Sequence, residues 1–352
     1  MFEIGIMTFG EVTADPVTGA LPTPRQRVRE TVEQATVADE VGLDVFGVGE
    51  HHRRDFVGSA PSILLAAATE NTEKIKLTSS VTVLGSEDPV RVWEQFATID
   101  LLSGGRAEII AGRGSYTESF PLFGYDLNDY ADLFREKLDL LLAIREHNPL
   151  TWHGHLRPGL TDADIAPRAY GETIPIWVGV GGSAASAVST GRRGLPMALA
   201  LLLGPLTYHT DTVALYRQAA AEAGHDADAL PVSINAHGFV GATSQAARDV
   251  MFPYFAKGMM DNNHQRGRGF PLSRPAFDAQ SSPAAGLIVG SAEEVAEKLL
   301  AYHELYGITR AIIQIGFGGM PQSEHLAAIE RLGTEVAPIV RREVQSRQTS
   351  LV

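Results

Sequence analysis

Short apolar runs alternate with segments of helical hydrophobic spacing along nearly the whole chain. Runs typical of buried strands occupy residues 2–9, 43–48, 75–83, 107–111, 174–180, 195–203, 232–240 and 311–315. Apolar positions spaced by three and four predict helices over residues 25–41, 61–72, 89–102, 130–147 and 323–342, and further helices starting near Ser183, Leu206, Ser244 and Ser291. The pattern is therefore a repeated strand and helix.

Eight such alternations with short, continuously apolar strands are typical of a parallel sheet covered by helices. A chain of 352 residues suits one α/β barrel, and no linker-like change of composition divides it. We therefore predict an α/β fold, a single (β/α)8 TIM barrel over residues 1–352. The polar stretch over residues 152–170 follows neither period and is left unassigned.

Residues 257–291 interrupt the alternation after predicted strand seven. This segment is rich in Gly, Pro, Ser and Asn and has no stable hydrophobic period. An insertion at the carboxyl end of a barrel strand overhangs the active site, so we expect a long mobile loop that acts as a lid. A surface loop without a role in the site is the alternative.

Composition narrows the classes of partner and compartment. The chain contains no Cys, which excludes disulfides, thiolate metal sites and a Cys nucleophile. Its net charge of -13 argues against nucleic acid or an anionic membrane as a partner. The first residues do not resemble a secretion signal, and no run of 18 uncharged apolar residues occurs. We expect a soluble, cytoplasmic protein.

A glycine- and serine-rich turn follows the predicted strand that ends at residue 180. Gly181 and Gly182 allow a tight turn with exposed N–H groups, and the helix that starts at Ser183 presents its positive end to an anion. Ser183 can donate its N–H and its hydroxyl, and Ser186 lies one turn further on the same face. The pattern predicts a phosphate site.

The same turn also fits G-x-G-x-x-A, a weak dinucleotide-binding pattern formed by Gly179, Gly181 and Ala184. A dinucleotide fold requires an acidic residue about 20 positions later, to bind the ribose. None occurs between Glu172 and Asp211, so the phosphate-site interpretation is favoured.

Two further motifs follow predicted strands at their carboxyl ends. Arg113 lies between two glycines in Gly112–Tyr116, where its guanidinium can reach a phosphate. Glu50, His51 and His52 follow strand two, but adjacent side chains on extended backbone point opposite ways, so a shared metal is disfavoured. One imidazole is expected at the barrel mouth as a general base or hydrogen-bonding group.

The histidines His153 and His155 have strand spacing for a metal, but they lie in the unassigned stretch. No carboxylate at a strand end accompanies them, and we predict no metal site.

Several motifs together resemble the bacterial luciferase-like family of flavin monooxygenases, over nearly the whole chain. In order, they are Glu50-His51-His52, TENTEKIKLTSSVTVL up to Asp88-Pro89-Val90-Arg91, Asp100-Leu101-Leu102-Ser103-x-Gly105-Arg106, Gly112-Arg113-Gly114-x-Tyr116 up to Phe123-Gly124, and Gly194-Leu195-Pro196-Met197. The resemblance implies a (β/α)8 barrel that binds FMN at the carboxyl ends of its strands.

The resemblance also implies roles for individual residues. Arg113, Gly182, Ser183 and Ser186 would hold the 5′-phosphate of FMN. Ser115 and Tyr116, with the neighbouring Gly114 and Gly181, would line the cofactor, and His51 would match the histidine needed for reaction. Ser80 and Val81 stand where the family has a non-prolyl cis peptide beneath the flavin ring.

The implied activity is that of an FMN-dependent monooxygenase, which uses reduced FMN from a separate flavin reductase and dioxygen on a small organic substrate. A homodimer is expected, with the apolar helix over residues 61–72 as a candidate surface. Two family positions differ, since Gly112 replaces a reactive thiol and Leu201 a tryptophan. Light emission and a long-chain aldehyde substrate are therefore not implied.

Three alternatives remain open from the sequence. The first is a deazaflavin-dependent oxidoreductase of the same fold, which transfers hydride without oxygen. The second is a non-catalytic flavin-binding protein, and the third is a metal-dependent barrel hydrolase, suggested by the histidines.

Overall fold

The computed structural model describes residues 2–114, 116–171, 173–201, 203–264 and 270–350, with backbone alone for 262–264 and 348–350. The strands in these ranges are β1 (Glu3–Thr8), β2 (Val45–Val48), β3 (Lys76–Ser79), β4 (Thr82–Val83), β5 (Ala107–Gly112), β6 (Leu150–Trp152), β7 (Leu160–Ala163), β8 (Ile176–Val180), β9 (Met197–Leu201), β10 (Val232–Val240), β11 (Ile288–Gly290) and β12 (Arg310–Gln314). The helices are α1 (Pro24–Glu40), α2 (Pro61–Thr69), α3 (Pro89–Ser103), α4 (Ser119–Phe123), α5 (Tyr130–Glu146), α6 (Ala184–Arg192), α7 (Thr210–Glu222), α8 (Ser244–His264), α9 (Arg274–Gln280), α10 (Ala292–Tyr306), α11 (Gln322–Arg331) and α12 (Ala337–Ser350).

Eight parallel strands close into a barrel, which confirms the predicted (β/α)8 fold. The strand order is β1, β2, β3, β5, β8, β9, β10 and β12, and β12 pairs with β1 to complete the ring. The short strand β4 extends the pairing along β5, and β11 pairs with the last residues of β10. Because all barrel strands are parallel, their carboxyl ends share one rim.

The core has two parts, one inside the barrel and one between the strands and helices. The inner cluster comprises Met7, Val45, Ile110, Trp177, Ala198 and Ile312. At the amino ends of the strands, the buried Arg310 guanidinium pairs with Glu108 at 2.6 Å and with Glu3 at 2.5 Å. This ion-pair network fills the lower end of the barrel, so a ligand site belongs at the opposite end.

The long mobile loop predicted over residues 257–291 is not confirmed. Helix α8 continues to His264, and α9 and β11 lie further along the segment. Phe277 of α9 is fully buried, and the Lys298 ammonium donates to the carbonyls of Ser281, Ser282 and Leu287. These tertiary contacts stabilise a segment whose local sequence has no period of its own.

The remaining differences from the prediction lie outside the barrel. The unassigned stretch contains β7, which forms a separate antiparallel pair with β6 at the start of that stretch. The single helix predicted over residues 323–342 is two helices, α11 and α12, joined by a π-helical turn over Leu332–Val336. None of the helices in the described ranges has both the length and the apolar content needed to cross a bilayer.

Candidate active site at the carboxyl rim of the barrel

The peptide bond between Ser80 and Val81 is cis, as the resemblance implied. It lies between β3 and β4, where the backbone leaves the third barrel strand. The buried Ser80 hydroxyl accepts a hydrogen bond of 2.9 Å from Asn235 Nδ2 on β10 and contacts Met7 Sδ at 3.1 Å. These contacts cross the barrel interior and hold the peptide at the upper end of the inner core.

The side chain of Val81 is accommodated by two glycines on neighbouring strands. A Cβ atom at Gly112 would lie 2.5 Å from Val81 Cγ2, and one at Gly179 would lie 3.0 Å from Val81 Cγ1. Real Cβ atoms do not come as close as the contact at Gly112, so Val81 keeps its place only with glycine there, and the contact at Gly179 would require Val81 to shift slightly. Gly112, which replaces the family's reactive thiol, therefore has a packing role here.

The predicted anion site forms a left-handed turn followed by a capped helix. Gly182 has φ +87°, a conformation that other residues rarely adopt. Ser183 is the N-cap of α6, and its hydroxyl accepts a long hydrogen bond of 3.5 Å from the Ser186 N–H. The positive end of α6 is thus directed at the rim, as an anion site requires.

Arg113 reaches this turn from the neighbouring strand β5. Its Nη2 donates to Ser186 Oγ at 2.9 Å, and its guanidinium lies over the Tyr130 ring at 5.5 Å from the centroid. Tyr130 in turn donates its hydroxyl to the Gly114 carbonyl at 2.8 Å. Arg113 and the amino end of α6 therefore form one cationic site, while predicted Ser115 lies outside the described residues.

The His51 imidazole is buried at the same rim and bonded to a carboxylate. Its Nδ1 lies 2.8 Å from Glu118 Oε1, and its ring packs against Phe9 and Phe56, both at 4.6 Å between centroids, and against Tyr116 at 4.9 Å. Burial opposes ionisation of Glu118, but the hydrogen bond with His51 and nearby charges outweigh it and lower the pKa of Glu118. The carboxylate is therefore ionised and accepts, so Nδ1 carries the proton.

The neighbouring residues Glu50 and His52 form a second, separate pair. His52 Nε2 lies 2.8 Å from one carboxylate oxygen of Glu50, and the other oxygen accepts from the Val83 N–H at 2.8 Å. The hydrogen bond to Glu50 raises the pKa of His52. Glu50 thereby links the loop after β2 to the strand that follows the cis peptide.

The two adjacent histidines face different carboxylates, in keeping with their alternation along the chain. In the ranges that the structure describes, no three His, Cys, Asp or Glu side chains are grouped to hold a metal ion. His153 and His155 lie between β6 and β7, away from the barrel strands.

Sequence reasoning missed several polar groups of the rim. Glu118 lies in an irregular segment after β5, and Asn235 and His237 lie on β10. His237 Nδ1 is buried, has no hydrogen-bond partner among the described residues, and burial lowers the pKa of His237 to about 4. The alternation of inward and outward side chains along β10 could have indicated Asn235 and His237, whereas no local sequence pattern indicates Glu118.

A protein-family model described as luciferase-like monooxygenase matches residues 2–309. Among curated proteins, the alkanal monooxygenase alpha chain of Aliivibrio fischeri is 24% identical over 324 residues, which cover 86% of this chain and 90% of that protein. The family match includes the motifs described above and all barrel strands before β12.

Two solved structures are similar over 97% of this chain and 99% of their own. One is the oxygenating constituent of 3,6-diketocamphane monooxygenase from Pseudomonas putida, a type II Baeyer–Villiger monooxygenase in complex with FMN, with a TM-score of 0.75 and 22% identity. The other is an F420-dependent secondary alcohol dehydrogenase in complex with an F420–acetone adduct, with a TM-score of 0.73 and 18% identity. At these identities the likeness concerns the fold.

Proposed function

The chain belongs to the luciferase-like monooxygenase family, and from that membership we propose that it is an FMN-dependent monooxygenase acting on a small organic substrate. The family and the similar structures support an enzyme with a flavin-type cofactor. We propose FMN over F420, and oxygen insertion over hydride transfer, from the chemistry of the side chains at the rim.

The observation that carries the proposal is the hydrogen bond between Arg113 and Ser186 beside the capped start of α6. A guanidinium, two serine hydroxyls and free helix N–H groups are the donors that a phosphomonoester needs. Because Gly182 forms the left-handed turn and has no side chain, a phosphate could approach its backbone closely. We assign the 5′-phosphate of FMN to Arg113, Gly182, Ser183 and Ser186.

We propose that the flavin ring lies above the cis peptide. Glycines at positions 112 and 179 leave room at that end of the barrel for the Val81 side chain. We propose that Ser80 and Val81 lie beneath the ring, that Tyr116 and Ser115 line it, and that the backbones of Gly114 and Gly181 approach the ribityl phosphate. Arg113 and this floor belong to adjacent strands, a spacing that suits one flavin mononucleotide.

Reduced FMN, when bound, would supply the electrons that activate dioxygen for transfer of one oxygen atom to the substrate. The protein's own contribution centres on His51. Because Glu118 fixes the proton on Nδ1, Nε2 is left to accept a proton or a hydrogen bond above the cofactor. The rings of Phe9, Phe56 and Tyr116 exclude water around it. We propose that a separate reductase supplies the reduced FMN.

Cofactor titration tests the assignment. The purified protein is titrated with FMN, riboflavin and the deazaflavin F420, and each dissociation constant is measured from flavin fluorescence. We expect FMN to bind more tightly than riboflavin, since riboflavin lacks the phosphate, and more tightly than F420. Tighter binding of F420 than of FMN would instead support hydride transfer, the second candidate, which the likeness to an F420-dependent dehydrogenase favours.

The role of His51 is tested with reduced FMN supplied by a reductase and a panel of small organic substrates. Replacing His51 by alanine should lower product formation far more than it lowers FMN affinity, because the contacts described for the imidazole are with Glu118 and aromatic rings. Unchanged turnover in His51→Ala would remove His51 from the mechanism. Absence of any product and of substrate-dependent oxygen uptake in the wild type would favour a flavin-binding protein without catalysis.

A further inference from the structure

His209 is buried beside the turn that we assign to the cofactor phosphate. It immediately precedes α7, and only 6% of the residue is exposed. A Cβ atom at Gly182 would lie 2.9 Å from His209 Cε1 and 3.4 Å from His209 Nδ1. The Nδ1–Cε1 edge of the imidazole therefore faces the left-handed turn, in the space that any side chain at position 182 would occupy.

The Nδ1 atom of His209 is buried and has no hydrogen-bond partner among the described residues. Buried polar side-chain atoms in folded proteins are nearly always hydrogen-bonded, because desolvation without a partner is costly. An imidazole nitrogen left in this state next to a helix N-terminus indicates a missing polar ligand. This observation is independent of the hydrogen bond between Arg113 and Ser186.

The position of the ring is fixed by its neighbours. The backbone N–H of His209 donates to the Tyr306 hydroxyl at 3.0 Å, and that hydroxyl donates to the Leu206 carbonyl. The Tyr208 ring packs edge-on against the imidazole at 4.8 Å. The backbone bond and the Tyr208 ring together position the imidazole beside the turn.

The charge environment of the ring is set by burial. Tyr208 of its own loop packs against the ring, and Tyr306 of α10 bonds to the backbone N–H of His209. Burial raises the pKa of Tyr306, so that phenol is neutral near pH 7. On the side of α6 it meets the backbone of Gly182. Burial lowers the pKa of His209 below its ordinary value of 6.5, so the ring is neutral near pH 7 until an anion arrives.

We propose that His209 is a further binding residue for the phosphomonoester of the cofactor, and that it takes up one proton from solvent when this dianion binds. The inference rests on the proposed function and deepens it by coupling cofactor binding to pH. The protonated ring donates from Nδ1 to a phosphate oxygen, in addition to the donors of Arg113, Ser183 and Ser186.

The direction of the pH dependence follows from linkage. A bound dianion favours the charged imidazole and raises its pKa above that of the free protein. Between the free and bound pKa values the complex holds one more proton, so affinity rises as pH falls, by up to about tenfold per pH unit. Riboflavin carries no phosphate and should bind without this dependence.

The experiment measures FMN and riboflavin dissociation constants between pH 6.5 and 8.5, above the second pKa of the phosphate itself, which is about 6. The variants are His209→Asn and His209→Gln, which can donate a hydrogen bond but cannot titrate. His225→Asn is the matched control, since His225 bonds to the Arg192 carbonyl at the far end of α6. Thermal melting establishes that each variant is folded.

We expect the wild type and His225→Asn to bind FMN more weakly as pH rises, and both His209 variants to lose most of this slope. At pH 6.5 the His209 variants should bind FMN about tenfold more weakly, because they keep a neutral donor and lose the extra strength of a charged one. Their affinity for riboflavin should match the wild type.

The inference would be overturned if both His209 variants bound FMN as tightly as the wild type and with the same dependence on pH. An equal loss of FMN and riboflavin would also overturn it, since a structural role would act on both ligands. If Arg113→Ala loses FMN selectively while the His209 variants do not, the proposed function stands and only this inference fails. If the wild type does not prefer FMN to riboflavin, both fail.

Discussion

Arg113→Ala removes the guanidinium that joins the loop after β5 to the first turn of α6. The contacts described for Arg113 are the 2.9 Å hydrogen bond to Ser186 and the Tyr130 ring, and neither neutralises its charge. Its remaining N–H groups are therefore available to a phosphate. The guanidinium is half-buried, so its truncation leaves little cavity and the fold should be retained.

The size of the effect follows from the kind of bond that is lost. A hydrogen bond to a charged group contributes about 1.5–3 kcal/mol, and 1.4 kcal/mol corresponds to a factor of ten in a dissociation constant. We therefore expect Arg113→Ala to bind FMN about ten- to a hundredfold more weakly. The FMN affinity of Arg113→Lys should lie between those of the wild type and Arg113→Ala, because lysine keeps the charge but loses the planar guanidinium.

The assay is a fluorescence titration of wild type and variants with FMN and, in parallel, with riboflavin. Riboflavin has the same ring and no phosphate, so its affinity should be unchanged by either substitution. Unaltered FMN affinity in Arg113→Ala would refute the phosphate assignment. An equal weakening of both ligands would refute it as well, because the effect would then arise from the ring site or from the fold.

Three further predictions concern stability. Burial raises the pKa of Glu11 from 4.5 to about 7, so the folded state holds an extra proton between these values. The free energy of unfolding should therefore fall as pH rises from about 4.5 to 7, by up to about 1.4 kcal/mol per pH unit. Urea melts at pH 5 to 8 should show a smaller decline in Glu11→Gln, and the same pH dependence in variant and wild type would contradict the prediction. Gly182→Ala should lower stability by about 1–2 kcal/mol, because its φ is +87° and its methyl group would meet a buried imidazole, whereas Gly181→Ala, with open space around it, should change the melting temperature little. Gly112→Ala should cost about 1–3 kcal/mol through its clash with Val81, and less in a Val81→Ala background; additive effects in this double-mutant cycle would exclude the contact.

The sequence predicted the barrel because its strands are short and continuously apolar and each is followed by a helix. Those patterns are local, and eight of them leave few arrangements other than a closed parallel ring. The turn at Gly182 and the cap at Ser183 were likewise predictable, since a turn residue and an N-cap act on backbone a few positions away. The cis peptide between Ser80 and Val81 was predicted from the resemblance to the family.

The partners of these groups were decided by the tertiary structure. Glu118 meets His51 across 67 positions of chain, and Asn235 meets Ser80 across 155, so no local period connects them. His209 reaches the turn at Gly182 because α6 and α7 lie side by side on the barrel. In the segment predicted as a loop after the seventh predicted strand, α9 is held by the buried Phe277, and Lys298 of α10 bonds to the carbonyls that follow α9. Local sequence sets backbone conformation, whereas burial and long-range hydrogen bonds depend on which surfaces the closed barrel brings together.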